Sequence, residues 1–286
     1  MSLGRSGPVE TALVLAAGLG ERLRPLTYTK PKPLLPLGGI PLVHYPLRML
    51  RSAGVRRVVI NLHHLGSQIE RALGNGSALG LEITYAPEPV LLNTGGPLVA
   101  QREFFGDRTF WVANSDTILD FDLGAMVEFH RRHRALATLA LRPRAHGSRY
   151  SAIETDPEGR VHNVRLTANG LSGSAETDEG VQPGYPMSVA SGAVSGAPTD
   201  ARDGVKADGY VFCGLTLCEP AIIRFAPKRP AFGIVSDLLA PMVAQGEPIY
   251  GYAFDGYFRT VDDLDSYEAL DAEFAAAAPG LSYLSR

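Results

Sequence analysis

The apolar run Leu13-Val14-Leu15-Ala16-Ala17 breaks at once into Gly18-Leu19-Gly20-Glu21-Arg22, and Arg24, Lys30 and Lys32 follow closely. Glycines at the end of a strand let backbone N–H groups approach an anion that a Cβ would hold off. Clustered cations beside such amides match the charge of a nucleoside triphosphate. Gly18 and Gly20 therefore read as a phosphate cradle, with Arg22 and Lys32 as cations acting on phosphates. A P-loop would need G-x-x-x-x-G-K-[ST], which is absent. The dinucleotide fingerprint would need a third glycine where Leu23 stands. Pro25, Pro31, Pro33 and Pro36 keep a long helix from following directly, so the basic residues are expected on an extended loop.

A second chemical point is Trp111-Val112-Ala113-Asn114-Ser115-Asp116, an apolar run ending in small residues and then an acid. Such a strand delivers a carboxylate to the edge of the sheet where ligands sit. The competing expectation is that Asp116 caps a turn into Thr117–Leu119. Thr94-Gly95-Gly96, opening a helix, offers another close backbone approach. His63 and His64 are adjacent and on a strand would face opposite sides, so both cannot serve one metal ion; phosphate-edge or partner contacts are expected instead.

These residues need a scaffold. Strands are predicted at Ala12–Ala16, Arg57–Leu62, Leu81–Tyr85, Phe110–Ala113 and Ala137–Leu141. Helices are predicted at Pro41–Ala53, Ser67–Leu73, Gly95–Phe104 and Asp122–Arg134, with Asp122 as an N-cap and Pro46 kinking the first. This alternation implies an α/β fold with a mainly parallel sheet and helices on both faces. Further on, Tyr150–Glu154 and Arg160–Val164 read as a hairpin around Asp156-Pro157-Glu158-Gly159. A strand at Tyr210–Leu217, a helix from about Ser236, strands near Ile249–Phe254 and a terminal helix from Asp263 complete the pattern. Residues 168–208, rich in Gly, Ser, Ala and Pro, read as a flexible insert.

Composition narrows the classes. With 286 residues, 45% hydrophobic and 20% charged, the chain has ample core for one large α/β domain or two smaller ones, and a net charge of −3 gives no hint of a nucleic-acid surface. No apolar stretch approaches a membrane span. Residues 1–10 read as a flexible leader without the apolar centre of a signal peptide, which makes a cytoplasmic location the expectation. Cys213 and Cys218 lack zinc spacing and are expected as buried small side chains.

The string G-x-G-E-R-L-R-P-L-T…P-K-P-L, as it stands from Gly18 to Leu34, resembles the signature of the sugar-1-phosphate nucleotidyltransferases, the nucleotide-diphospho-sugar pyrophosphorylases. The resemblance is strong over residues 11–142 and weak over 145–275. It implies a Rossmann-like fold in a single domain over residues 11–275, with a nucleotide-binding core (11–142) and a small C-terminal sugar-binding portion (143–275). The substrates implied are an NTP, GTP or UTP by preference, and a sugar 1-phosphate, with no nucleic-acid or membrane partner; a homo-oligomer is left open. The resemblance assigns catalysis to Arg22, Lys32 and Asp116. It assigns nucleotide contacts to Leu15, Ala16, Ala17, Gly18, Gly20, Glu21, Glu88, Thr94, Gly95 and Asn114, and a catalytic Mg²⁺ to Asp116. Glu88 falls where the family reads the base. A carboxylate there accepts from the imino N–H of guanine, uracil or thymine, whereas the plain expectation is an exposed surface glutamate.

Two departures stand out. The family's Glu-Lys-Pro motif is replaced by Val164-Arg165-Leu166-Thr167, leaving Arg165 as the local cation. The second metal aspartate is replaced by Thr260, with Asp262 two residues on as a stand-in metal ligand, although Asp262 and Asp263 could equally begin the last helix. These losses keep open a non-catalytic, nucleotide-sugar-binding regulatory homologue.

Overall fold

The computed structural model describes residues 7–144, 148–167 and 209–284; the expected insert 168–208 lies outside the described residues. Its centre is a nine-stranded mixed sheet. Four strands form the parallel nucleus: β1 (Thr11–Leu15), β4 (Arg57–Leu62), β5 (Glu82–Pro87) and β6 (Phe110–Asn114), in the order β6-β1-β4-β5. These are near-continuous apolar runs because both their faces are covered. Ala12 and Val14 join the core on one face, with α1 (His44–Ser52) and α2 (Gly66–Leu73). Leu13 joins the core on the other, with Leu98, Phe105 and Leu238.

The other half of the sheet is built around β11 (Tyr210–Cys218). It runs antiparallel between β6 on one side and β8 (Ala137–Pro143) on the other, and β12 (Ile249–Ala253) extends β8 in parallel. The expected hairpin is present as β9 (Ala152–Thr155) and β10 (Val161–Arg165), joined to β11 through Ile153 and Tyr210. Two short ribbons lie outside the sheet. One is β2 (Pro36–Leu37) with β3 (Ile40–Pro41); the other is β7 (Thr117–Asp120) with β13 (Tyr257–Thr260). Asp116 thus sits in a turn that leads into Thr117, as the competing expectation had it, and Thr117–Leu119 itself is strand.

Helix ends follow local chemistry. Asp122 caps α5 (Leu123–His133) by accepting from the Ala125 N–H at 3.0 Å. The helix expected at Pro41–Ala53 begins only at His44, so Pro46 falls in the first turn, where its missing N–H has no partner to lose, and it need not kink the helix. The helix expected at Gly95–Phe104 is two pieces, α3 (Gly96–Ala100) and α4 (Arg102–Phe105), and Phe105 stacks on Phe110 with ring centroids 3.9 Å apart. Toward the C-terminus a π-helical turn at Ile234–Leu239 leads into α6 (Ala240–Ala244), and α7 (Leu264–Ala276) is the last helix.

Of the expected leader 1–10, residues 1–6 lie outside the described residues. Val9 is buried in the core, and the Glu10 carbonyl accepts from the Arg56 and Arg57 N–H groups. Cys213 and Cys218 are buried free thiols, as their spacing suggests. No described helix is long and apolar enough to cross a membrane.

Candidate active site

The carboxyl ends of β1, β4, β5 and β6 share one edge of the sheet, and Gly18, Glu88 and Asp116 follow closely on the ends of β1, β5 and β6. Gly18 has open space where a Cβ would stand, as a cradle requires. Gly20 adopts φ +65°, and a Cβ on it would meet the Thr27 methyl at 2.8 Å. The Thr27 hydroxyl in turn donates to the Gly20 carbonyl at 2.8 Å. The loop that follows is pinned from both sides. His64 Nε2 donates to the Thr27 carbonyl at 2.7 Å and Gln68 to the Thr29 carbonyl at 2.9 Å, both from the β4–α2 junction. From α7, the Tyr267 hydroxyl donates to the Pro36 carbonyl and Asp271 accepts from the Gly38 N–H. The histidines therefore hold backbone. His63 Nδ1 donates to the Glu88 carbonyl at 2.7 Å.

Arg24 pairs with Glu21 at 3.1 Å and lies over the Tyr28 ring, so Glu21 and Arg24 satisfy each other at the rim. Lys32 forms an ion pair with Asp116, in the turn between β6 and β7. Arg22 lies 4.0 Å from Asp262. Arg22, Asp116 and Asp262 all line one cleft of about 250 Å³, together with Asn114, Thr117, Tyr150, Thr260 and the segment Phe212-Cys213-Gly214.

The C-terminal acids divide their roles. Thr260 and Asp262 both line the cleft, while Val261 between them is fully buried, so the two-residue alternation of β13 runs on past its end. Asp263 is the N-cap of α7 in a reciprocal capping box with Ser266. Burial alone would raise the Asp263 carboxyl, but the Ser266 hydroxyl and N–H and the Arg149 guanidinium outweigh it and bring the carboxyl down to about 2. Asp262 instead accepts from Arg149 at 3.1 Å and from the Tyr150 hydroxyl. Arg165, the other cation considered, donates to Glu154 at 2.8 Å across the β9–β10 hairpin.

Glu88 is 7% exposed, which removes the surface-glutamate expectation. Its Oε1 accepts from the Asn61 side chain and its Oε2 from the Leu92 N–H, both at 2.9 Å. Asn61 Oδ1 accepts from the Ala16 N–H at 2.8 Å. One buried polar chain thus joins the ends of β1, β4 and β5 and holds the Ala16 N–H just ahead of Gly18. The backbone approach expected at Thr94-Gly95-Gly96 exists, but the chain itself fills it. The Gly95 N–H donates to the Phe232 carbonyl at 2.8 Å, the Thr94 hydroxyl accepts from the Ile234 N–H, and a Cβ on Gly95 would meet the Phe232 ring at 2.3 Å.

Asn61, Tyr150, Arg149 and Gly214 escaped the sequence reading. Asn61 carried a signal, a polar residue closing the apolar run Val58-Val59-Ile60 as Asn114 closes its own. Gly214 has φ +75°, and a Cβ on it would meet the Asn114 amide and the Thr117 hydroxyl at 2.8 Å. Both Tyr150 and Arg149 come from the β8–β9 connection. Tyr150, expected as the first residue of the hairpin strand, precedes that strand, which begins only at Ala152, and the sequence reading assigns no chemistry at either position.

Comparison with known proteins adds identity to this geometry. A profile of the family described as Nucleotidyl transferase matches residues 11–165. N-acetylmuramate alpha-1-phosphate uridylyltransferase of Neisseria meningitidis is 49% identical over 115 residues, 40% of this chain and 50% of that protein. Mannose-1-phosphate guanylyltransferase of Mycobacterium tuberculosis is 31% identical over 253 residues, 87% of this chain and 60% of that protein. The chain thus spans between 50% and 60% of these relatives' length. Among solved structures, HddC from Yersinia pseudotuberculosis has a TM-score of 0.69 at 18% identity, covering 93% of this chain and 100% of that one. The inositol-1-phosphate CTP transferase from T. maritima has a TM-score of 0.64 at 16% identity, covering 96% and 99%. Likeness at such identity speaks for the Rossmann-like fold alone.

Proposed function

The chain belongs to the nucleotidyl transferase family, and from that premise we propose that it joins a sugar 1-phosphate to a nucleoside triphosphate. An oxygen of the sugar phosphate attacks the α-phosphorus in line, the bond to the β-phosphate oxygen breaks, and pyrophosphate leaves with its electron pair. No protein nucleophile is required, because positioning and charge neutralisation carry the catalysis. The observation that carries this reading is that Arg22, Asp262 and Asp116, the last paired with Lys32, line one cleft.

Arg22 neutralises the β- and γ-phosphates as they depart, and Lys32 meets the α-phosphate where the sugar phosphate arrives. Gly18 and Gly20 bring backbone amides to the triphosphate. Glu88, held by Asn61 and Leu92, keeps acceptor capacity for a base imino N–H, which favours GTP or UTP. Leu91-Leu92-Asn93-Thr94-Gly95-Gly96 resembles both the guanylyl- and uridylyl-transferring branches, and Pro97-Leu98 tilts toward guanylyl transfer.

The residues fit a magnesium ion. Among the described residues no set of three ligating side chains exists, but magnesium accepts one or two carboxylates when phosphates and water complete its shell. Asp116 and Asp262, lining one cleft, would hold it. When bound, it would neutralise charge on the reacting phosphates. The non-catalytic alternative has the loss of an acid at Thr260 in its favour, and the retained Arg22, Lys32 and Asp116 against it.

A panel of NTPs and sugar 1-phosphates, followed by pyrophosphate release, tests the proposal. Turnover with GTP or UTP and one sugar 1-phosphate is expected. Nucleotide binding without turnover for any pair would leave the regulatory reading.

A further inference from the structure

Donors from separate parts of the chain converge on one carboxylate at the edge of the cleft. Asp262 Oδ2 accepts from Arg149 Nη2 at 3.1 Å and from the Tyr150 hydroxyl, and Arg22 Nη2 lies 4.0 Å from Oδ1. The Arg149 guanidinium also donates to Asp263 at 3.0 Å and lies over the Tyr150 ring, 5.6 Å from its centroid. Stacking and two ion pairs hold this guanidinium in a fixed orientation. The Tyr150 hydroxyl is a donor already aimed at an anion, the Asp262 carboxylate.

Two guanidinium groups and a phenol aimed at a carboxylate are also the donor set for a phosphate monoester, which offers more oxygens and more charge. The place where the sugar phosphate's cation is expected does not supply one to the cleft, since Arg165 is engaged with Glu154 on the β9–β10 hairpin. Arg149 is a cation that does reach a cleft-lining residue from that side of the fold.

We propose that Arg149 and Tyr150, flanked by Arg22, form the subsite for the phosphate of the sugar 1-phosphate, and that in the free protein the Asp262 carboxylate occupies this subsite as an internal anion. The identity of the ligand rests on the reaction proposed above; the oxyanion subsite itself does not. An arriving phosphate takes over the Arg149 and Tyr150 hydrogen bonds, and the displaced carboxylate is left facing the cleft it shares with Asp116. One acid thereby serves the free and the loaded states in turn. The internal anion also makes the empty subsite a poor trap for stray phosphate.

The test measures binding of inorganic phosphate and of sugar 1-phosphates to the full chain by calorimetry in magnesium-free buffer. Asp262→Asn keeps the shape and removes the competing charge, so phosphate should bind roughly tenfold more tightly than to the native protein. Adding Arg149→Gln should cancel that gain, and Arg149→Lys should recover part of it, since the charge returns without the planar fork. In the otherwise native chain, Arg149→Gln should raise the KM for sugar 1-phosphate while leaving the KM for NTP within about twofold. The proposal is overturned if Asp262→Asn binds phosphate no more tightly than the native protein. It is overturned equally if Arg149→Gln shifts only the Mg²⁺ requirement, which would make Arg149 a mere support for Asp262. If no substrate pair turns over but the phosphate affinities move as described, the subsite stands and the reaction reading falls.

Discussion

Lys32 and Asp116 stand 84 residues apart in the chain and meet as an ion pair at the cleft. Each is the other's partner until substrate arrives. On the proposed reaction, a phosphate drawn to Lys32 and a cation drawn to Asp116 would exchange one ion pair for two. Replacing Lys32 or Arg22 by Ala should lower transfer on the order of 10²–10³-fold, since the proposed roles put Arg22 on the leaving pyrophosphate and Lys32 on the α-phosphate. Asp116→Ala should lose at least as much, because it also strands Lys32 without its counter-ion. Steady-state kinetics with melting curves for fold integrity check this; native rates in Lys32→Ala and Arg22→Ala together would refute the cradle assignment.

The magnesium requirement discriminates between Thr260 and Asp262. If Asp262 supplies the second carboxylate, Asp262→Ala should sharply raise the Mg²⁺ concentration for half-maximal rate, and Thr260→Asp should change it little. Titrating activity against Mg²⁺ for both variants reads this directly. The reverse ranking would show that the second carboxylate is simply missing.

Gly214 sits on β11 where its backbone bulges between Phe212 and Thr216. With φ +75° and no room beside Asn114 and Thr117, Gly214→Ala meets both a backbone and a packing penalty. A loss of about 1–3 kcal/mol is expected, together with a fall in activity as Asn114 is pushed from the cleft. Chemical denaturation and kinetics on one preparation test the pair of effects. A variant as stable as the native chain would show that the bulge relaxes at no cost.

Asp263 links pH to the last helix. Its carboxyl titrates near 3.8 when unfolded and at about 2 when folded, so its contribution is complete above pH 3.8 and lost as the pH falls toward 2. Asp263→Ala should lower stability by about 1 kcal/mol at neutral pH. The gap between native and variant melting temperatures should narrow between pH 4 and pH 2. A gap that persisted unchanged in acid would contradict the depressed carboxyl.

Much of this site was legible because glycines, loop cations and strand-terminal acids carry their chemistry in their type and spacing. The strand at Arg57–Leu62 falls where the apolar run places it, and Asp122 caps the helix its position suggests. What escaped depends on long-range contacts. Asn61 matters because Ala16, Glu88 and Leu92 lie within reach of it, and nothing at residue 61 announces residues 16, 88 and 92. The glycines at 95 and 96 announced a close approach without saying by what, and Phe232 and Pro230 turned out to be the visitors. The acids at 262 and 263 look alike in sequence. Only the end of β13 and the start of α7 separate a cleft residue from a cap.

The placement of β11 bears on how the chain comes off the ribosome. The stretch from residue 11 to 165 that carries the family's signature is not a self-sufficient sheet, because Ala113 of β6 pairs with Leu215 and Ala137 of β8 pairs with Cys218. Until β11 is synthesised, β6 presents an open edge and β8 has neither β11 nor β12 to pair with. At ~5–20 residues per second, Ala113 waits roughly 5–20 s for its partner. A nascent chain arrested near residue 165 should therefore be far more sensitive to protease than one extended beyond residue 260, and more inclined to associate through its bare strand edges.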